Sequence, residues 1–312
     1  MAWLLVHLYG KVLIFWMLLF GAVGGAVVGA YIMLSGQLSS HDVRSCLTIL
    51  SGAAPAGSTC TQTAFSTLDT FRTANNAILG AVSALPLVLG VFMAAPFMAR
   101  ELERGTHRLL WTQSVSPIAW LVKRSFACLG FALGTLSFVA IATVWWLSLG
   151  SVIWLGSSWP GFDLWFPSLV AYGLFAVALG LAAGTILGRT VISMAVTAGC
   201  WIAVRALVEV LLRPRFIPPV LAPGMTASSA GSNWFMSIAY IDSRGNVLSP
   251  PEVSAIIGNG NLESHGIIMA GVIQPASRFW IFQGIEAGIF LLLALVCLIL
   301  SFLWVRYHLA SR

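Results

Sequence analysis

Apolar residues dominate six stretches of the chain, at approximately 13–34, 77–98, 126–149, 167–187, 191–212 and 279–305. Each is about the 20 residues that a helix needs to cross the hydrocarbon core of a bilayer. Backbone N–H and C=O groups find no water in lipid, so only helices and closed barrels can span it. Barrel strands alternate apolar and polar side chains, and these runs do not. The pattern predicts six membrane helices. The polar segments between them differ in length. Residues 35–76 and 213–278 form two long loops on one side, while 99–124 form a charged segment on the other. The link "GRT" at 188–190 is short enough to make a tight hairpin of the fourth and fifth helices. Within 213–278, a turn at 243–246 between apolar residues predicts a small hairpin, and 251–257 a short helix. Small residues recur at helical spacing in "GAVGGAVVGA" (21–30) and "GLAAGTILG" (180–188), which predicts close helix approach.

Composition strengthens this picture. The chain is 59% hydrophobic and 8% charged, whereas soluble domains average about 25% charged residues. The fold class is therefore an all-α integral membrane protein with one transmembrane domain over residues 1–312. With the N-terminus in the cytoplasm, the inner segments hold nine Lys and Arg (Lys11, Arg100, Arg104, Arg108, Lys123, Arg124, Arg189, Arg306 and Arg312) against Glu101 and Glu103. The outer segments balance six arginines with six acids. The basic excess belongs inside, so both termini are expected in the cytoplasm of a multi-pass plasma-membrane protein. The first apolar run is too long for a signal peptide and reads as a retained helix. The basic residues are scattered over loops rather than gathered on one face, which argues against nucleic acid. Cys46 and Cys60 share one outer loop, where an oxidising compartment would bridge them; the alternative is two free thiols. Trp159, Trp165 and Trp234 are expected at the membrane interface.

The motifs for chemistry are missing. There is no H-E-x-x-H, no G-x-S-x-G, no metal-spaced Cys/His cluster and no phosphate-binding G-x-x-x-x-G-K-[ST]. No metal or cofactor is expected on the chain, which is not an enzyme on its own. Three charges fall inside apolar runs: Arg205 and Glu209, four residues apart on one helical face, and Glu286. An unpaired charge in hydrocarbon is costly. The pair reads either as a structural clip near the outer end or as a polar feature on a path or subunit contact. Glu286 is placed to pair with Arg205 or Arg278.

The segment "RELERGTHRLLWTQSVSPIAWLVKR" holds charges at 100, 101, 103, 104 and 108 and apolar residues at 102 and 109–111. It reads as an amphipathic helix over 101–110 that lies on the membrane or docks on a partner. Pro117 is set to begin the next helix. The segment resembles the first cytoplasmic loop of type-2 ATP-binding-cassette (ABC) transporter permeases, in a version common in actinobacteria. "QPASRFWIFQGIEAGIFLLLA" (274–294) is similar to the same subgroup at the start of helix six. The resemblance implies an exporter permease that dimerises with a second copy and is driven by two copies of a separate ATPase, which holds ATP and Mg²⁺. Glu101, Glu103, Arg104, Gly105, Thr106 and Arg108 would then form the coupling helix in a groove of that ATPase. Residues 3–11 would be an interfacial helix. Asn75, Asn76, Ser83, Phe92, Met194, Thr197 and Trp201 would line the path for an amphipathic or hydrophobic cargo such as a drug, antibiotic, lipid or modified peptide. Besides efflux, two readings stand. One is a non-transporting signalling or assembly protein that recruits a soluble partner. The other is a channel or proton-coupled transporter, which the lack of a midplane acid argues against.

Overall fold

The computed structural model describes residues 2–50, 59–105, 116–153, 159–226, 230–257, 262 and 265–309. Among these, six helices are long and apolar enough to cross a membrane. The first helix, α1 (Ala2–Leu38), runs unbroken, and its span is Ile14–Leu38. Residues 3–11 are therefore the first turns of α1, not a separate interfacial helix, and their side chains lie outside those described. A short α2 (His41–Leu50) follows. The second span, α3 (Gln62–Glu103), starts well before residue 77. The expected outer loop 35–76 is thus largely helical. Its polar residues hid the fact: Ala64, Leu68, Phe71 and Asn75 are buried along one face, while Asp69, Arg72 and Asn76 stay exposed. Thr61 caps α3 by accepting from the Ala64 amide at 3.3 Å, and a Cys46–Cys60 disulfide ties α2 to the start of α3.

Pro86 interrupts the hydrogen bonding of α3, and a π turn at Leu89–Ala94 restores it. That turn brings Gly90 against the fourth span. The third span, α4 (Pro117–Ile153), begins at Pro117 as expected, with the Ala119 amide donating to Ser116 Oγ at 3.2 Å. A 3-10 turn (Trp159–Leu164) leads into α5 (Phe166–Leu187). Gly188 turns left-handed at φ 59°, and α6 (Thr190–Arg215) returns. The sixth span is α8 (Ala276–His308).

The fourth span, α5, is the hub. Of its most apolar window 83% is buried, against 22–44% for the other five spans. Small residues permit this. A Cβ on Gly180 would stand 2.4 Å from the Gly90 carbonyl oxygen, and one on Gly184 would stand 2.6 Å from that of Ala95. The small-residue face at 180–188 is thus spent on packing inside the chain. In the run 21–30, Gly24 meets Phe138 of α4, while Gly21, Gly25 and Gly29 face open space.

Segment 213–278 is more ordered than a loop with one hairpin. Among the described residues it forms a four-stranded antiparallel sheet in the order β1-β4-β2-β3. The strands are β1 (Val220–Pro223), β2 (Trp234–Ile241), β3 (Val247–Leu248) and β4 (Ile268–Gln274). Strand β4 is central, with Val220 opposite Ile273 and Tyr240 opposite Met269. The expected hairpin is β2–β3. Its turn is held by Asp242 Oδ1, which accepts from the Arg244 and Asn246 amides at 2.8 Å each. Hydrogen bonds from Asn246 hold the Asp242 carboxyl below its ordinary pKa. At the start of the short α7 (Pro250–Ile257), the Ser249 amide and hydroxyl both donate to Glu252 Oε2, at 2.7 Å and 2.8 Å. Those bonds likewise hold the Glu252 carboxyl below its ordinary value. Trp159 is buried among Phe162, Trp234, Phe279 and Phe282.

Candidate functional site

Polar side chains gather at the two ends of α5. One cluster sits where α3 ends and α4 and α6 begin. Glu101 pairs with Arg124 and accepts from Trp120 Nε1 at 3.1 Å. Arg124 also donates to the Phe97 carbonyl at 3.3 Å and lies over the Phe97 ring at 4.8 Å. Glu103 Oε2 accepts from the Thr190 amide at 3.0 Å and the Thr190 hydroxyl at 2.6 Å. The helix then stops at Arg104, and Gly105 turns left-handed at φ 70°. Glu101 and Glu103 therefore belong to the last turn of a spanning helix and bond within the chain, instead of projecting from a separate docking helix. The charge spacing is the same in either case, which is why sequence could not separate them. Arg104 is exposed and Gly105 half-buried. Thr106 and Arg108 lie outside the described residues.

The other cluster is denser. Glu286 of α8, with no solvent exposure, takes a bidentate pair from Arg213: Nε to Oε2 at 2.7 Å and Nη2 to Oε1 at 2.7 Å. Arg205 Nη1 reaches the same Oε1 at 3.1 Å. Asp163, in the turn before α5, accepts from Arg205 at 2.8 Å and Arg213 at 2.6 Å. The Tyr172 hydroxyl donates to Glu286 at 2.6 Å, and the Arg205 guanidinium lies 3.9 Å above the Tyr172 ring. Two guanidiniums face two carboxylates, so the group neutralises itself. Burial works to raise the Asp163 pKa, but Arg205 and Arg213 outweigh it and hold the carboxyl below its ordinary value. Glu209 stands at the rim, 3.6 Å from Arg205 and 45% exposed. The expected pairing of Glu286 with Arg205 is present; Arg278 instead donates to the Pro218 carbonyl at 2.7 Å and Gln274 at 2.9 Å. Asp163, Arg213 and Tyr172 were not singled out by sequence. Only the demand of a buried Glu286 for a second cation pointed toward them. Every charge deep in the cluster is satisfied inside the chain, which fits the structural clip.

The path residues divide. Asn75 is buried and accepts from Trp146 Nε1 at 3.1 Å. Thr197 is buried and donates to the Ser193 carbonyl at 2.7 Å. Trp201 is buried and donates to the Tyr172 carbonyl at 3.4 Å. Asn75 and Trp201 thus tie neighbouring helices together, while the Thr197 bond stays within α6. Asn76, Ser83 and Phe92 are exposed along α3, and Met194 is half-buried on α6.

Apolar helices joined by charges that cancel among themselves define a multi-pass membrane protein. The chain belongs to the ABC-2 membrane transporter related family, which matches residues 17–213, well over half of its length. It is thus an ABC-2 type permease, the membrane component of an ABC transporter, and the family implies an ATPase partner. No curated protein and no solved structure matches the chain.

Proposed function

We propose that the chain is the permease of an ATP-driven exporter for an amphipathic or hydrophobic cargo. It works as one half of a homodimer on two copies of a separate ATPase, which binds ATP and Mg²⁺; the chain itself catalyses nothing. The family match carries this reading. Both termini lie in the cytoplasm. The basic excess of the inner segments favours that orientation. So does the Cys46–Cys60 disulfide, which belongs to the opposite end of the helices and to an oxidising compartment. The ATPase docks on the segment that runs on from Arg104 through Arg108. ATP binding draws the inner ends of two copies together, and the cleft between them changes from inward-open to outward-open. The exposed Asn76, Ser83 and Phe92, with Met194, face that cleft. The "QPASRFW" stretch (274–280) favours the actinobacterial-type subgroup.

Co-expression with the ABC ATPases of the source genome, each in turn, tests the reading. The expected result is a purified complex with two ATPases per two permeases, hydrolysing ATP at a rate that depends on the permease. No retained ATPase overturns it. An ATPase that is retained but indifferent to the permease supports a signalling or assembly role in its place.

A further inference from the structure

The last three residues of α3 each address a different element. Successive residues of a helix point about 100° apart, so 101, 102 and 103 fan around most of the helix circumference. Glu101 grips Arg124 and Trp120 of α4. Leu102 lies against the turn between α5 and α6, where a Cβ built on Gly188 would stand 3.7 Å from its own. Glu103 holds Thr190, the first residue of α6, through two hydrogen bonds to one carboxylate oxygen.

The third contact is an N-cap delivered from another helix. Arg189, the residue before α6, is extended and makes no side-chain cap. The Thr190 amide takes its acceptor from a residue 87 positions away. A carboxylate at a helix N-terminus also gains from the partial positive charge there. The first turn of α6 is in turn tied back to α5, since Ser193 Oγ donates to the Ala183 carbonyl at 3.1 Å.

On the ABC-permease reading above, we infer that this last turn is a transmission joint. Displacement imposed by the ATPase on the chain beyond Gly105 reaches α6 through Glu103 and Thr190, and α4 through Glu101 and Arg124. Glu103 and Thr190 are positioning residues: they carry the stroke and do not hold the ATPase. Glu103 is exposed to solvent, so the joint can yield and reform, as a moving part must.

Cys200 supplies a native reporter. It is exposed on α6, whereas Cys128 is buried and Cys297 half-buried. In a Cys128→Ala, Cys297→Ala background, bimane attached to Cys200 reads the surroundings of α6. The permease–ATPase complex in nanodiscs is compared with and without ATP plus vanadate. The background protein is expected to show a nucleotide-dependent emission shift. Glu103→Leu, which removes the acceptor, and Thr190→Val should lose that shift while retaining the ATPase, and Thr190→Ser, which keeps the hydroxyl, should restore it. Release of the ATPase by Glu103→Leu would make Glu103 a docking residue and overturn the joint. So would a shift that persists in both variants, or a background complex with no shift at all. If the background protein holds no ATPase, the permease reading itself fails, and the joint falls with it.

Discussion

The two ends of α5 use the same chemistry in opposite settings. At the Cys46–Cys60 end, Glu286, Asp163, Arg205 and Arg213 bind one another in a shielded pocket, with Glu286 wholly buried. At the terminal end, Glu103 holds Thr190 in the open. Charged hydrogen bonds away from water are strong, and breaking them strands a charge. Exposed ones compete with solvent and are worth little. The lesson is one of rigidity: the bundle is pinned where its charges are hidden, at Glu286 and also at the shielded Glu101–Arg124 pair, and jointed at Glu103–Thr190, where they are wet.

The largest test of that contrast is Glu286→Ala. It leaves Arg205 and Arg213 short of a buried partner and should cost about 3–5 kcal/mol, read as a large fall in melting temperature in detergent. An unchanged melting point would mean that this end is not pinned. Cys46→Ser comes next. The bridged residues are 14 apart, and closing a loop of about 15 residues is worth about 3 kcal/mol, so melting should fall by a lesser amount. Acid is gentler. The folded Asp163 carboxyl lies below its ordinary value, so its contribution is complete above about pH 3.9 and fades as pH falls through the folded value. Melting profiles below that pH should drop for the wild type and stay flatter for Asp163→Asn, which has lost the contribution already. The smallest effect belongs to the other end: Glu103→Gln should leave the melting temperature where it was. A loss as large as that of Glu286→Ala would erase the distinction between pin and joint.

The spans were legible because hydropathy needs only local sequence. The start of α3 was not, since residues 62–76 are amphipathic and their apolar stripe falls below any average over a window. The pairing of Glu286 with Arg205 was readable because a charge inside an apolar run demands a partner. Asp163 was not, because it belongs to a short turn with nothing nearby to mark it. Asn75 and Asn76 show the same limit at finer scale. Adjacent on α3, one is buried on Trp146 and the other exposed, and the two residue types are identical, so only the neighbouring helix decides which. The sheet was hidden for a related reason: β1 pairs with β4 across some fifty intervening positions, which no local turn signal announces.

The charge cluster also imposes an order on synthesis. A ribosome delivers Asp163, Arg205 and Arg213 first, and Glu286 only 73 residues after Arg213. Until then the two guanidiniums have only Asp163 and the rim carboxylate Glu209, and the partner that binds Arg213 with both oxygens is missing. The sixth helix is therefore the piece that completes the others. A chain cut short after the fifth is left with a polar defect that any surveillance of misassembled membrane proteins can recognise.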